Sequence, residues 1–245
     1  MKELEKLTSL SRQAIARYGM IPPGSRIAVG LSGGKDSAAL LCVLASMRSY
    51  FPAPYELLGI TVDPGFPEGG GLFDPVTEFC RSLGVEHRIV KTEIYRAVFL
   101  ERREKNPCSL CAKMRRGALV GEVRAAGADR LALGHHMDDV ACTFFMSLCR
   151  GGRIGCFSPV TVYEDTGVSV IRPLIYCRER EIRALVRAAS LPVVKSPCPA
   201  DGETERAEIG RMVREMDARY RGLYARVVGA LERSGIDGWG NFNKT

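Results

Sequence analysis

The chain has 245 residues, 46% of them hydrophobic, with nine cysteines and a formal net charge of +7. Its length and composition exclude a disordered tail and a disulfide-stapled miniprotein, allow one large α/β domain or a main domain with an appendage, and favour a polyanionic partner, although the charge is also compatible with solubility alone. No apolar run approaches the roughly 18 residues of a membrane span and the charged start Met1-Lys2-Glu3-Leu4-Glu5 lacks a signal-peptide pattern, so a cytoplasmic protein without a membrane partner is expected, its thiols buried, metal-bound or reactive rather than disulfide-linked.

Leu4, Leu7, Leu10, Ala14 and Ile15 recur at helical spacing and predict an amphipathic helix over 3–19, ended by Gly19 and Pro22-Pro23-Gly24. It is expected to pack on the domain or on a second subunit, which admits a homodimer. Then Ile27-Ala28-Val29-Gly30-Leu31 predicts a strand and Ala38 to Leu44 a helix, with Ser32-Gly33-Gly34-Lys35-Asp36-Ser37 between them. Two glycines permit positive φ and close backbone approach, so amide N–H groups can converge on an anion at a helix N-terminus. Lys35 adds a mobile positive charge, Ser32 and Ser37 add hydroxyls, and Asp36 beside phosphates implies Mg²⁺ between them. A tight turn that binds nothing is the plain alternative, and on the glycines alone it prevails. Neither G-x-x-x-x-G-K-[ST] nor G-x-G-x-x-G can be read here. All six positions instead match the S-G-G-x-D-S loop of the ATP pyrophosphatase superfamily, which the string resembles. That resemblance implies cleavage of ATP between its α and β phosphates and adenylation of a carbonyl oxygen.

Tyr55 to Val62 predicts a second strand ending at Asp63, where ligands of parallel sheets bind; Asp63 reads equally as a contact to the nucleotide and as a turn residue before Pro64. A glycine-rich loop over 66–71 precedes a helix opened by Asp74-Pro75 and ended by Gly84, then a strand over 87–90 in which His87 reads as an ordinary edge residue. This alternation predicts a doubly wound, mostly parallel sheet with helices on both faces.

Cys108-Ser109-Leu110-Cys111 opens another predicted helix, where two thiolates can reach one metal centre and the helix dipole lowers their pKa. A third thiol is offered by Cys198, between Pro197 and Pro199 in a loop, and three thiolates without a fourth protein ligand suit an iron–sulfur cluster with one open iron better than a closed zinc site. The other six cysteines read as mostly core. Arg130 to Gly134 predicts a strand running into His135-His136-Met137-Asp138-Asp139 and a helix over 140–149. Paired aspartates can hold a metal, and Gly134 with His135 or His136 can touch the nucleotide. The alternative is an acidic N-cap with a satisfied histidine, against which the expected place beside the first strand weighs. A hairpin over 160–171, Arg172-Pro173-Leu174, a helix over 179–189, a short strand at Val193-Val194 and a helical stretch over 204–234 follow. The arginines of that last stretch can line a polyanion groove or simply face solvent. Trp239-Gly240-Asn241-Phe242-Asn243 has no readable task.

With these motifs in order over about 20–230, the chain resembles the tRNA 2-thiocytidine synthetases (TtcA family), departing from it by its short length and by Lys195 where some members carry a further cysteine. The resemblance implies an N-terminal helix over 1–20, an ATP-binding α/β domain of the adenine nucleotide alpha hydrolase type over 21–195 with the Cys-x-x-Cys insertion, and a C-terminal helical region over 196–245 with the third cysteine. It implies that ATP and Mg²⁺ adenylate the C2 oxygen of the cytidine at tRNA position 32, and that sulfur carried on a [4Fe–4S] cluster displaces AMP. Ser32, Gly33, Gly34, Lys35, Asp36 and Ser37 then bind pyrophosphate, with Asp63, Gly134 and His135 also at the nucleotide. Lys35, Asp36 and Asp139 serve catalysis, Cys108, Cys111 and Cys198 ligate the cluster, and Lys113, Arg115, Arg116 and Arg153 contact tRNA phosphates. A cysteine desulfurase or sulfide would supply sulfur. A lysidine-type tRNA ligase or a small-molecule amidating enzyme would use the same loop without needing three thiols, and a noncatalytic tRNA-binding protein would explain the charge alone.

Overall fold

β1 (Arg26–Gly30) is buried along its centre, Ile27, Ala28 and Val29 being fully inaccessible, and that continuous apolar run is what a central strand covered on both faces requires. The computed structural model describes residues 1–67, 69–102, 107–199 and 205–240. Around β1 it builds a six-stranded sheet with β2 (Glu56–Asp63), β3 (Glu86–Lys91), β4 (Arg130–Ala132), β5 (Val160–Tyr163) and β6 (Val168–Ile171), in the order β3-β2-β1-β4-β6-β5. Every pairing is parallel except the β5–β6 hairpin at one edge.

Among the described residues the α-helices are α1 (Lys2–Tyr18), α2 (Lys35–Met47), α3 (Asp74–Ser82), α4 (Pro107–Ala125), α5 (Met137–Gly151), α6 (Glu179–Ala188), α7 (Glu205–Arg219) and α8 (Leu223–Ser234). Ile27 and Val29 face one side and join Leu40, Leu44, Ile182 and Leu231, whereas Ala28 faces the other and joins Leu58, Leu131 and Val123 of α4. Leu7 and Ile15 of α1, Val213 of α7 and Trp239 enter the first of these clusters, so both termini share the core of the sheet. The chain runs outward from β1 to β3 and returns to β4 on the other flank of β1. Connections therefore diverge above β1 and β4, leaving a crevice at their carboxyl ends.

Four local expectations are corrected or refined. Val193-Val194 is not a strand: the Val194 N–H makes a single bond to the Gly33 carbonyl, 2.8 Å away, and pairing goes no further. The stretch expected as helical over 204–234 is helical in two pieces, separated at Gly222 with φ 84°, and residue 204 lies outside the described residues. Cys149, near the end of α5, is exposed rather than core. Trp239 is fully buried, with its indole N–H donating to the Phe157 carbonyl at 2.9 Å; residues 241–243 of that tail lie outside the described residues. A π-helical turn over Arg96–Glu101, just before the cysteine-bearing helix, has no signal in the hydrophobic pattern.

Candidate active site

The phosphate-loop string lies in the crevice, between the end of β1 and the start of α2. Gly33 has φ 80°, which favours glycine, and a Cβ there would stand 3.1 Å from Val194 Cβ, tight enough to push that side chain. Gly34 differs: its φ of −83° suits any residue, and an added Cβ would meet only Ser32 Oγ. The serines shape the turn. Ser37 donates to the Gly34 carbonyl at 2.8 Å, and Ser32 Oγ accepts the Gly34 N–H at 3.3 Å. Beyond it, the first-turn N–H groups of α2 have no intrahelical acceptor, as at any helix start.

Lys35 Nζ stands 2.9 Å from Asp36 Oδ2 and 3.0 Å from Glu179 Oε1. Burial alone would depress its pKa; Asp36 and Glu179 outweigh burial and hold the ammonium above the usual lysine range. Gly134, just past β4, allows the closest approach in the site. A Cβ there would lie 2.9 Å from the Asp36 carbonyl carbon and 3.1 Å from the Ser37 nitrogen, so glycine is demanded by the neighbouring backbone.

The two aspartates after β4 separate in role. Asp138 accepts from Arg178 Nε at 3.1 Å and from the Glu179 N–H at 2.8 Å, which ties α5 to the start of α6. Asp139 faces the crevice. His136 lies between Asp139 and Asp36, its Nε2 3.4 Å from Asp139 Oδ2 and 3.5 Å from Asp36 Oδ1. Arg206 reaches the other Asp139 oxygen at 3.0 Å. Burial would raise the Asp139 pKa, but His136, Arg206 and the His136 N–H hold the carboxyl below its usual range. Asp36 Oδ1 is buried and accepts no hydrogen bond among the described residues, His136 Nε2 standing too far off at 3.5 Å to donate one. An orphaned carboxylate oxygen facing a second carboxylate fits a hard cation such as Mg²⁺.

These groups open on a cavity of about 820 Å³. Asp36, Ser37, Gly134 and Asp139 line its mouth, Ile60 and Val62 its β2 side, and His135, Phe157, Thr161 and Arg172 its β4–β6–β5 side. Arg115 and Arg116 of α4 complete the wall. Burial, helped by Arg172, pushes the His135 pKa down to about 4, so the imidazole is neutral. Burial pushes the Cys156 thiol up to about 12, which keeps it protonated in the same wall.

Cys108 and Cys111 sit in the first turn of α4, the former exposed and the latter half-buried against Val62, Ile94 and Val98. The Cys111 thiol is pushed up by burial, opposed by Arg115 and reinforced by Cys198 and Cys108, so three thiols from two distant segments share one neighbourhood. Among the described residues, no group of three or more His, Cys, Asp or Glu side chains is gathered closely enough to hold a metal ion as it stands. The donor set, three free thiols with Arg115 beside Cys111, nonetheless has the chemistry of an iron–sulfur site.

Of the residues singled out from sequence, the crevice gathers Ser32, Gly33, Gly34, Lys35, Asp36, Ser37, Gly134, His135 and Asp139. Cys108, Cys111 and Cys198 are not in the cavity wall, and neither is Asp63, whose side chain accepts the Gly65 N–H at 2.9 Å, closing a turn in which Gly65 has φ 78°. Lys113 and Arg153 are exposed and also outside it. Sequence reasoning missed His136 as the bridge between the carboxylates and Phe157 as part of the wall; Arg206, which reads from sequence either as lining a polyanion groove or as facing solvent, lines the cavity. Arg172-Pro173-Leu174 was legible as a motif, but nothing in it announced a buried guanidinium.

The PP-loop domain family matches residues 5–216. The tRNA-cytidine(32) 2-sulfurtransferase of Stenotrophomonas maltophilia (strain R551-3) is 37% identical over 226 residues, 89% of this chain and 74% of that protein. The Bordetella pertussis protein of the same name is 37% identical over 239 residues, 95% of this chain and 72% of that protein. Among solved structures, the U34-tRNA thiolase NcsA from Methanococcus maripaludis with its [4Fe-4S] cluster aligns with a TM-score of 0.80 at 27% identity, covering 94% of this chain and 78% of that one. An NH3-dependent NAD synthetase from Campylobacter jejuni aligns at 0.50 and 17% identity over 97% of this chain and 95% of that one, a likeness of fold alone.

Proposed function

Because this chain belongs to the PP-loop family and, within it, to the tRNA-cytidine(32) 2-sulfurtransferases, we propose that it replaces the C2 oxygen of a tRNA cytidine, the one at position 32, with sulfur at the expense of ATP. A pyrimidine carbonyl is a poor electrophile and its oxygen does not leave. Adenylation therefore comes first: O2 displaces pyrophosphate from the α-phosphorus, and sulfur attack on C2 then expels AMP.

Several groups of this chain serve that exchange. The Ser32–Ser37 loop and the α2 N-terminus receive the β and γ phosphates, and Lys35, already charged, exchanges its carboxylate partners for phosphate oxygens. Asp36 and Asp139 would hold Mg²⁺, which offsets the triphosphate charge. Cys108, Cys111 and Cys198 would hold a [4Fe–4S] cluster, which when bound supplies an iron free of protein ligands for carrying sulfur. Arg115 and Arg116, in the cavity wall, and the exposed Lys113 on the same helix receive tRNA phosphates, with Arg153 farther off. A cysteine desulfurase or sulfide supplies the sulfur, and a homodimer working in the cytoplasm completes the reading. Among the described residues no helix is long and apolar enough to cross a membrane.

The observation that carries this reading is the convergence of Asp36 and Asp139 on His136 at the cavity, beside a loop whose positive φ at position 33 favours glycine. Asp36→Asn keeps the side-chain shape and removes the charge. It is expected to lower tRNA-dependent pyrophosphate release at least about 100-fold and to leave a deletion strain without 2-thiocytidine, as read by mass spectrometry of tRNA nucleosides. Wild-type levels of 2-thiocytidine from the variant would reduce the protein to a noncatalytic tRNA binder.

A further inference from the structure

The cavity has two sides about the phosphate loop. On the β2 side Ile60 and Val62 present apolar walls, whereas His135, Phe157 and Arg172 stand on the β4–β6–β5 side; the family resemblance put His135 at the nucleotide, but the adenylation steps proposed above assign no task to these three. His135 Nδ1 and Arg172 Nε are both buried, and both lack a partner among the described residues. Two such orphans on one cavity wall are rare unless a ligand takes them. Phe157 joins them: its ring centroid lies 4.9 Å from that of His135, tilted by 43°, and 5.1 Å from the Arg172 guanidinium carbon. The guanidinium is fixed, since its Nη1 donates to the Ser158 carbonyl and to Thr161 Oγ1, and the backbone of Phe157 is fixed by the Trp239 indole.

We infer that His135, Arg172 and Phe157 form the pocket that recognises the base to be modified, with Phe157 against its ring, Arg172 Nε–H donating to N3 and His135 Nδ1 accepting from the 4-amino group of cytosine. This deepens the functional reading above and rests on it. Cytosine presents an acceptor beside an amino donor; uracil presents the reverse, an N3–H beside a carbonyl oxygen, and would leave both protein groups facing like partners. Contacts along the N3 and N4 edge leave O2, the oxygen to be adenylated, free to face the phosphates. Adenine carries the same acceptor–amino edge, so the base of ATP is the competing occupant. Two observations favour the target base. Apolar Ile60 and Val62 offer a nucleotide ring a wall on the opposite side of the loop, and Arg116, positioned for a tRNA phosphate, is close enough to Arg172 to depress its pKa.

The test compares kcat/KM of the holoenzyme on tRNA carrying cytidine at the target position with tRNA carrying the pyrimidin-2-one riboside, which keeps O2 and N3 but lacks the amino group. The wild type is expected to prefer cytidine by about 10- to 100-fold. His135→Ala should lose a similar factor on cytidine and bring the preference to near unity while its Kd for ATP stays unchanged, and His135→Gln, whose amide oxygen can accept, should retain part of the preference. A preference undiminished in His135→Ala overturns the assignment. Weakened ATP binding with the preference intact overturns it too and gives the pocket to adenine. A wild type that thiolates neither tRNA sinks the functional reading, and this inference with it.

Discussion

Asp138 and Asp139 are neighbours in sequence, yet one fastens two helices and the other faces the cavity, because the first turn of α5 points them in different directions. His135 and His136 diverge in the same way. His136 is buried between carboxylates, while His135 enters an apolar and cationic wall. That wall has a measurable consequence. With a folded pKa of about 4, below the 6.5 of an unfolded histidine, the unfolded chain binds a proton between those values that the folded one refuses. His135 therefore contributes stability that is fully present above about pH 6.5 and is lost as pH falls toward 4, on the order of 3 kcal/mol over the window. Urea unfolding at pH 4.5 and 7 should show His135→Asn less acid-sensitive than the wild type by a substantial part of that amount, and equal slopes in the two proteins would refute the buried neutral imidazole.

At the scale of elements, α4 carries two of the three candidate thiols at its start and the arginines of the cavity wall one turn later, so a single helix joins the thiols to the cavity. The segment bearing Cys198 is tied to the phosphate loop by the Val194 N–H to Gly33 carbonyl bond and by the close packing of Val194 on Gly33. Anaerobically purified protein is expected to be brown, and Cys198→Ala to lose the visible absorption and bound iron while binding ATP. Stoichiometric zinc in a colourless wild type would instead identify a structural metal site. The order of strands explains why two loops more than 90 residues apart form one crevice: β1 and β4 are neighbours, and the chain reverses direction across the sheet between them.

At the scale of the molecule, Trp239 links both ends of the chain to the cavity. Its ring meets Tyr18 of α1 edge-on at 6.1 Å, its carbonyl accepts from the Tyr18 hydroxyl, and its indole N–H holds Phe157. Trp239→Ala should cost about 3–5 kcal/mol, lowering Tm by roughly 10 °C in a chain of this size, and should raise KM for tRNA through the loosened Phe157; Trp239→Phe should recover most of the stability. A change in Tm under about 2 °C for Trp239→Ala would show that this anchor carries little. The sequence by itself determined the alternation of strands and helices, the phosphate loop and the Cys-x-x-Cys helix start, because each is written in adjacent residues whose spacing fixes local backbone geometry; the reaction class came from the resemblance that these motifs carry. Only the tertiary structure decided that Asp63 closes a turn, that Asp139 rather than Asp138 faces the cavity, that Arg172 and Arg206 enter it and that Trp239 is core. Those outcomes depend on which surfaces meet across tens of residues, and burial and charge pairing arise from that meeting rather than from any local pattern.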